Sequence, residues 1–136
     1  MMKRESARAT ILLVAVITVG LTGVSAARYA AQVRSVPFGS SSQPFVSLLN
    51  GPPVTRSLHS GLVTLQPGSS VGTHTTGTNE EMLIPLNGDG ELRSEGHPVI
   101  QLKPGLITYA PPHTKHDVVN TGTTPLRYIY VTAKAE

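Results

Sequence analysis

The sequence predicts an all-β domain, a sandwich or barrel, behind an apolar leader. Three observations predict it. Short segments of alternating or continuous apolar character recur through residues 46–136. Turn markers rich in Gly, Pro and Asn separate them, and no segment after residue 31 sustains a helical period.

The leader comes first and is unlike the rest. Lys3, Arg4 and Arg8 form a basic start, and the 19 residues from Ala9 to Ala27 carry no charge. The run is strongly apolar through TILLVAVITVGLTGV. It ends in the small-residue stretch VSAARYAA, where Ala26 or Ala27 could precede a cleaved bond. That is the layout of a secretory signal peptide, so residues 1–27 are expected to form a signal helix. An uncleaved anchor is the alternative, because the run just reaches the roughly 20 residues of a membrane span. On either reading the domain lies outside the cytoplasmic membrane. It is then periplasmic or extracellular, or held to the membrane through the leader alone.

Residues 28–45 include SVPFGSSSQP and predict a flexible arm. From there the segment PFVSLLN predicts a first edge strand, stopped by GPP. The strands LHSGLVTLQP, EEMLIPLN, GELRSE, PVIQLKP, GLITYAPP, HDVVNTG and PLRYIYVTA follow in order. Between them stand PGSS, NGDG, EGHP, KPG, PPHTK and NTGTTP, all rich in residues that reverse the chain.

Charge and cysteine exclude several functions. Counted from Ala27, eight Lys or Arg stand against seven Asp or Glu, a net charge of +1, so much of the whole chain's +3 belongs to the leader. No basic stripe with interleaved aromatics exists, which speaks against nucleic acid as a partner. Cysteine is absent, so no thiolate serves as nucleophile or metal ligand and no disulfide braces the fold. GDG at 88–90 is a turn without a phosphate-loop pattern, and Ser69 and Ser70 lack a nucleophile elbow.

The stretch GTHTTGTNEEMLIPLNGDGEL raises a sharper question. With a period of two, His74 and Thr76 share one strand face about 7 Å apart. Adjacent Glu80 and Glu81 must point to opposite faces, Glu80 to water and Glu81 inward. A hairpin through TGTN can then bring Glu81 opposite His74. The opposed acids cannot form the paired carboxylates of a glycosidase.

Here the residues resemble the cupin superfamily. PGSSVGTHTTGTNEEMLIPLNGDGEL is similar to its first motif, G-x5-H-x-H-x(3,4)-E-x6-G, with Gly68, His74, Glu81 and Gly88 in register. GLITYAPPHTKHDVVN is similar to the second, G-x5-P-x-G-x2-H-x3-N, through Gly105, Pro111, His116 and Asn120. The resemblance spans about Gly61 to Thr132. It implies a small double-sheet jelly-roll barrel of the single-domain cupin-2 type. It also implies a divalent metal ion, Fe, Mn, Zn or similar, held by His74, Glu81 and His116. Thr76 stands where the family has its fourth ligand, a second histidine, and His113 replaces a motif glycine.

Two imidazoles and a carboxylate suffice for a facial-triad iron site or a three-ligand zinc site completed by water. Thr76, a neutral hydroxyl, could hydrogen-bond that water. Each residue also has a structural reading: His74 as a polar interior residue bonded to Thr76 or Glu81, Glu81 as a solvated or barrel-mouth acid, His116 as a structural residue after a proline-rich turn. His113 is expected to face solvent, His97 to sit exposed in a hairpin turn, and His59 shares strand parity with Val63 and Leu65, which would aim it inward if that face is the core. Tyr109, Tyr128 and Tyr130 are read as packing residues that could also present hydroxyls to a pocket.

Two functions remain open from the residues. One is a metal-dependent enzyme acting on a small organic molecule by dioxygenase, isomerase or decarboxylase chemistry. The other is a non-catalytic cupin that binds a sugar or other small molecule beside a degenerate metal site, the version Thr76 favours. Self-association into a homodimer through edge strands is a weaker third option.

Overall fold

A computed structural model describes residues 32–39 and 41–135. The expected signal helix lies outside these residues. Among them there is no helix, and nine strands carry the fold: β1 (Phe45–Asn50), β2 (His59–Leu65), β3 (His74–Thr75), β4 (Asn79–Asn87), β5 (Gly90–Ser94), β6 (Ile100–Leu102), β7 (Thr108–Ala110), β8 (Lys115–Asn120) and β9 (Leu126–Lys134). Every strand expected from the sequence is present.

The strands form two antiparallel sheets. One has five strands in the order β1-β2-β9-β4-β7, the other four in the order β3-β8-β5-β6. Among the described residues no ladder joins the two sheets. The jelly-roll expectation therefore holds, but the sheets stack as an open sandwich and do not close into a barrel. Three of the four edge strands, β3, β6 and β7, have only two or three residues each, which leaves little backbone to pair across the seams.

Alternation decides which side chains are inside. Val63 and Leu65 on β2, Leu83 on β4, Leu92 on β5, Leu102 before the 103–107 turn, Val118 on β8, and Leu126 and Tyr128 on β9 form one buried cluster between the sheets. Cross-strand register keeps them on one side: Val63 faces Tyr128, and Leu65 faces Leu126. At the far end, Gly88 closes the β4–β5 turn at a φ of 78°, and a Cβ there would fall 2.5 Å from the Pro125 carbonyl oxygen. Both the backbone angle and the contact require glycine.

Asn120 pins this end together. It is buried at 1% exposure. Its Nδ2 donates to Leu65 O at 2.8 Å and to Thr124 O at 2.9 Å, and its Oδ1 accepts from Gly122 N at 2.9 Å. A buried amide this fully paired fixes the β8–β9 turn against β2.

Candidate metal centre

His74 and His116 are direct cross-strand partners on β3 and β8, so both imidazoles leave the same face of the four-stranded sheet. Their ring centroids lie 4.4 Å apart at an interplanar angle of 61°. Glu81 comes from the five-stranded sheet, where it faces Ala110 on β7 and Thr132 on β9. It is buried at 8% exposure, while Glu80 beside it is exposed and accepts a hydrogen bond from the Tyr109 hydroxyl at 3.2 Å. The period of two thus divides the acid pair as the sequence predicts.

One donor atom from each of His74, Glu81 and His116 lies within 4.8 Å of the others. Bonds of about 2.0–2.2 Å to a metal would draw donors to within roughly 4.4 Å of one another, a change that small rotamer shifts supply. Each imidazole turns its Nδ1 to a backbone carbonyl: His74 to Gly72 O at 2.9 Å, His116 to Thr114 O at 3.3 Å. Such a carbonyl fixes the tautomer and leaves Nε2 free to coordinate. Gly72 is held in turn, because its N–H donates to Asp117 Oδ1 at 3.0 Å.

His116 carries the tension in this arrangement. The residue is 1% exposed, and its Nε2 makes no hydrogen bond of acceptable geometry. Glu81 Oε2 stands only 3.1 Å from it, an ion-pair distance without hydrogen-bond alignment. Contact with that carboxylate is the largest influence on the imidazole and raises its pKa above 6.5; burial opposes the rise, and Asp117 adds a little to it. A buried nitrogen with an unused lone pair beside a buried carboxylate is a donor set that fits a divalent cation.

Thr76 sits in this region but its hydroxyl is committed elsewhere. Oγ1 donates to Pro111 O and accepts from Thr114 N, both at 2.9 Å. It ties the β3–β4 turn to the turn that delivers His116, a structural role that spacing alone could not show. His113 follows the same turn. It is exposed, donates its N–H to Gly77 O at 2.7 Å, and has a φ of 59°, the left-handed conformation for which the motif uses glycine.

The remaining histidines lie apart from the three donors. His59 keeps the inward register, opposite Thr132, yet its ring covers Gly51, where an added Cβ would meet Nε2 at 2.5 Å. His97 is exposed, as its turn position predicts, and borders a second cavity of about 270 Å³ with Leu92, Pro98, Tyr109 and Pro111. None of the three donors lines that cavity.

The cavity that reaches His74 and Glu81 has a volume of about 300 Å³. His74, Thr76 and Glu81 border it, with Val63, Val71 and Val118 as apolar wall and Tyr128, Tyr130 and Thr132 along β9. Burial is the main reason the Tyr128 phenol is pushed far up and stays neutral, with the charges of Glu81 and Asp117 adding to the effect.

Known proteins share this architecture. A Cupin 2 conserved barrel domain protein from Salinispora arenicola aligns at 24% identity over 78% of this chain and 91% of its own, with a TM-score of 0.61. A cupin family protein with a double-stranded β-helix fold from Methanocaldococcus jannaschii aligns at 22% identity over 75% and 91%, with a TM-score of 0.62. A predicted oxalate decarboxylase from Thermotoga maritima aligns at 26% identity over 66% and 78%, with a TM-score of 0.61. No curated protein matches the sequence. The cupin domain family matches residues 61–132, more than half of the chain, which contain all three donors and both turns that place them. The chain belongs to the cupin domain family.

Proposed function

We propose that this cupin domain holds one divalent metal ion on His74, Glu81 and His116 and uses it to bind and transform a small organic molecule in the adjoining cavity. The observation that carries the reading is His116 Nε2, buried, unbonded and within reach of the other two donors. When bound, an Fe, Mn or Zn ion would supply a Lewis-acid or redox centre with open coordination positions. The chain's own groups do the rest. Gly72 O and Thr114 O orient the imidazoles, Glu81 offsets the charge of the ion, and the valine wall limits access of water. Similarity to a predicted oxalate decarboxylase supports decarboxylase-type chemistry, and the donor set equally suits dioxygenase or isomerase reactions.

A second reading has its own support. The 3.1 Å approach of Glu81 to His116 lets a protonated imidazole close the site without an ion, and Thr76 contributes structure where the family motif has a ligand. That version is a non-catalytic small-molecule binder.

Elemental analysis of protein purified without chelators separates the two. Near-stoichiometric metal that is lost in His116→Ala supports the first. Metal-free protein whose thermal stability ignores added Fe, Mn, Zn, Ni or Cu supports the second. Export belongs to the same proposal and rests on the leader pattern. N-terminal sequencing of periplasmic or secreted protein should begin near Ala27, whereas membrane-bound protein starting at Met1 would show an anchor.

A further inference from the structure

The chain is poor in aromatic residues, with four Tyr, two Phe and no Trp. Three of those six, Phe45, Tyr128 and Tyr130, line the cavity that holds His74 and Glu81. Tyr128 is buried in the core at 2% exposure, Tyr130 packs against that core from its margin, and Phe45 lies outside it. Tyr130 is half-buried and lies across its cross-strand partner Gly61. A Cβ at Gly61 would fall 2.5 Å from Tyr130 Cε1 and 2.8 Å from its hydroxyl oxygen. The missing side chain is what lets the ring lie over β2. Phe45, opposite Val63 at the start of edge strand β1, keeps 54% of its surface exposed beside the same cavity. Apolar surface left in water next to a concave site is surface that a ligand can cover.

We infer that the cavity takes a small ligand with a planar unsaturated ring, which packs against Tyr130 and Phe45 while its polar end reaches the ion held by His74, Glu81 and His116. The inference rests on the metal reading above. A volume of about 300 Å³ accommodates one ring and a short head group, the low end for small-molecule sites. Ring faces and edges attract through their quadrupoles, so an unsaturated ring gains contacts that a saturated ring of equal size does not. Val63, Val71 and Val118 supply the shape of the slot. Gly61 sets its width, because a methyl group there drives Tyr130 off β2.

Three hydroxamates with one metal-binding head test this: acetohydroxamate, cyclohexanecarbohydroxamate and benzohydroxamate, titrated calorimetrically into the metal-loaded protein. Benzohydroxamate should bind about tenfold tighter than acetohydroxamate and several-fold tighter than the cyclohexane analogue. In Phe45→Ala, and separately in Gly61→Ala, the benzohydroxamate-to-acetohydroxamate affinity ratio should fall towards one, with metal content measured as the check on folding. A benzohydroxamate no tighter than the cyclohexane analogue overturns the inference, as does a ring preference that survives both variants. Either result in a metal-loaded protein leaves the metal reading standing. Protein that retains no metal and binds no hydroxamate overturns both.

Discussion

His116 Nε2 lies 3.1 Å from Glu81 Oε2 across the gap between the two sheets, with no hydrogen bond completing the approach. The pair is therefore poised between two occupants, a proton and a metal ion.

The proton gives a pH signature in metal-free protein. Glu81 raises the folded-state pKa of His116 above the 6.5 of the free side chain. The native state then binds more protons, and the contribution is fully present below pH 6.5 and lost as pH rises through the raised value. Denaturant melts of metal-free protein from pH 6 to 9 should show stability falling with pH, and His116→Gln should flatten that slope. Metal binding should run the other way, since it needs the deprotonated imidazole. A slope identical in wild type and variant would remove His116 from the account.

The division of the acid pair predicts unequal mutants. Glu81→Gln should lower metal retention by tenfold or more, because a carboxylate ligand becomes a neutral amide. Glu80→Gln keeps a side-chain oxygen to accept from the exposed Tyr109 hydroxyl and should retain metal as the wild type does. Elemental analysis after dialysis reads both; equal losses would contradict the facing of the two residues.

Thr76→Val keeps the shape of the side chain and removes both bonds to the 111–114 turn. Leaving Thr114 N and Pro111 O unsatisfied should cost about 1–3 kcal/mol. For a domain of this size each kcal/mol corresponds to about 4–8 °C in Tm, readable by calorimetry. Metal affinity should fall as well, since the same turn carries His116.

Two substitutions should stabilise. Thr64 Oγ1 is buried without a partner, so Thr64→Val should add about 1 kcal/mol. His113→Gly relieves a left-handed backbone, worth about 1–2 kcal/mol, and loses part of that gain to unfolded-chain entropy. An unchanged or lower Tm in either variant would refute the corresponding claim.

Much of this was legible from alternation. Period two separated Glu80 from Glu81 and put Val63 and Leu65 on one strand face; it set Glu81 opposite His74, whereas the strand partner of His74 is His116, which only the resemblance had singled out. What alternation could not reach was bonding between distant segments. The hydroxyl of Thr76 reaches residues 35 and 38 positions away, so its role depends on how two turns pack. His59 shows the converse limit: its parity was right, yet a side chain on an inward register still rotates, here onto Gly51. Barrel closure was likewise beyond it, because alternation within a strand says nothing of which edges pair across the seams.

His74 and His116 belong to one sheet and Glu81 to the other, and among the described residues no backbone ladder spans the two. An ion seated on all three would act as a rivet at this end, as the Asn120 bond to Leu65 O does at the other. Amide hydrogens of β3 and β4 near the donors should then exchange more slowly when the rivet is in place, while those around Asn120 at the opposite end keep their rates.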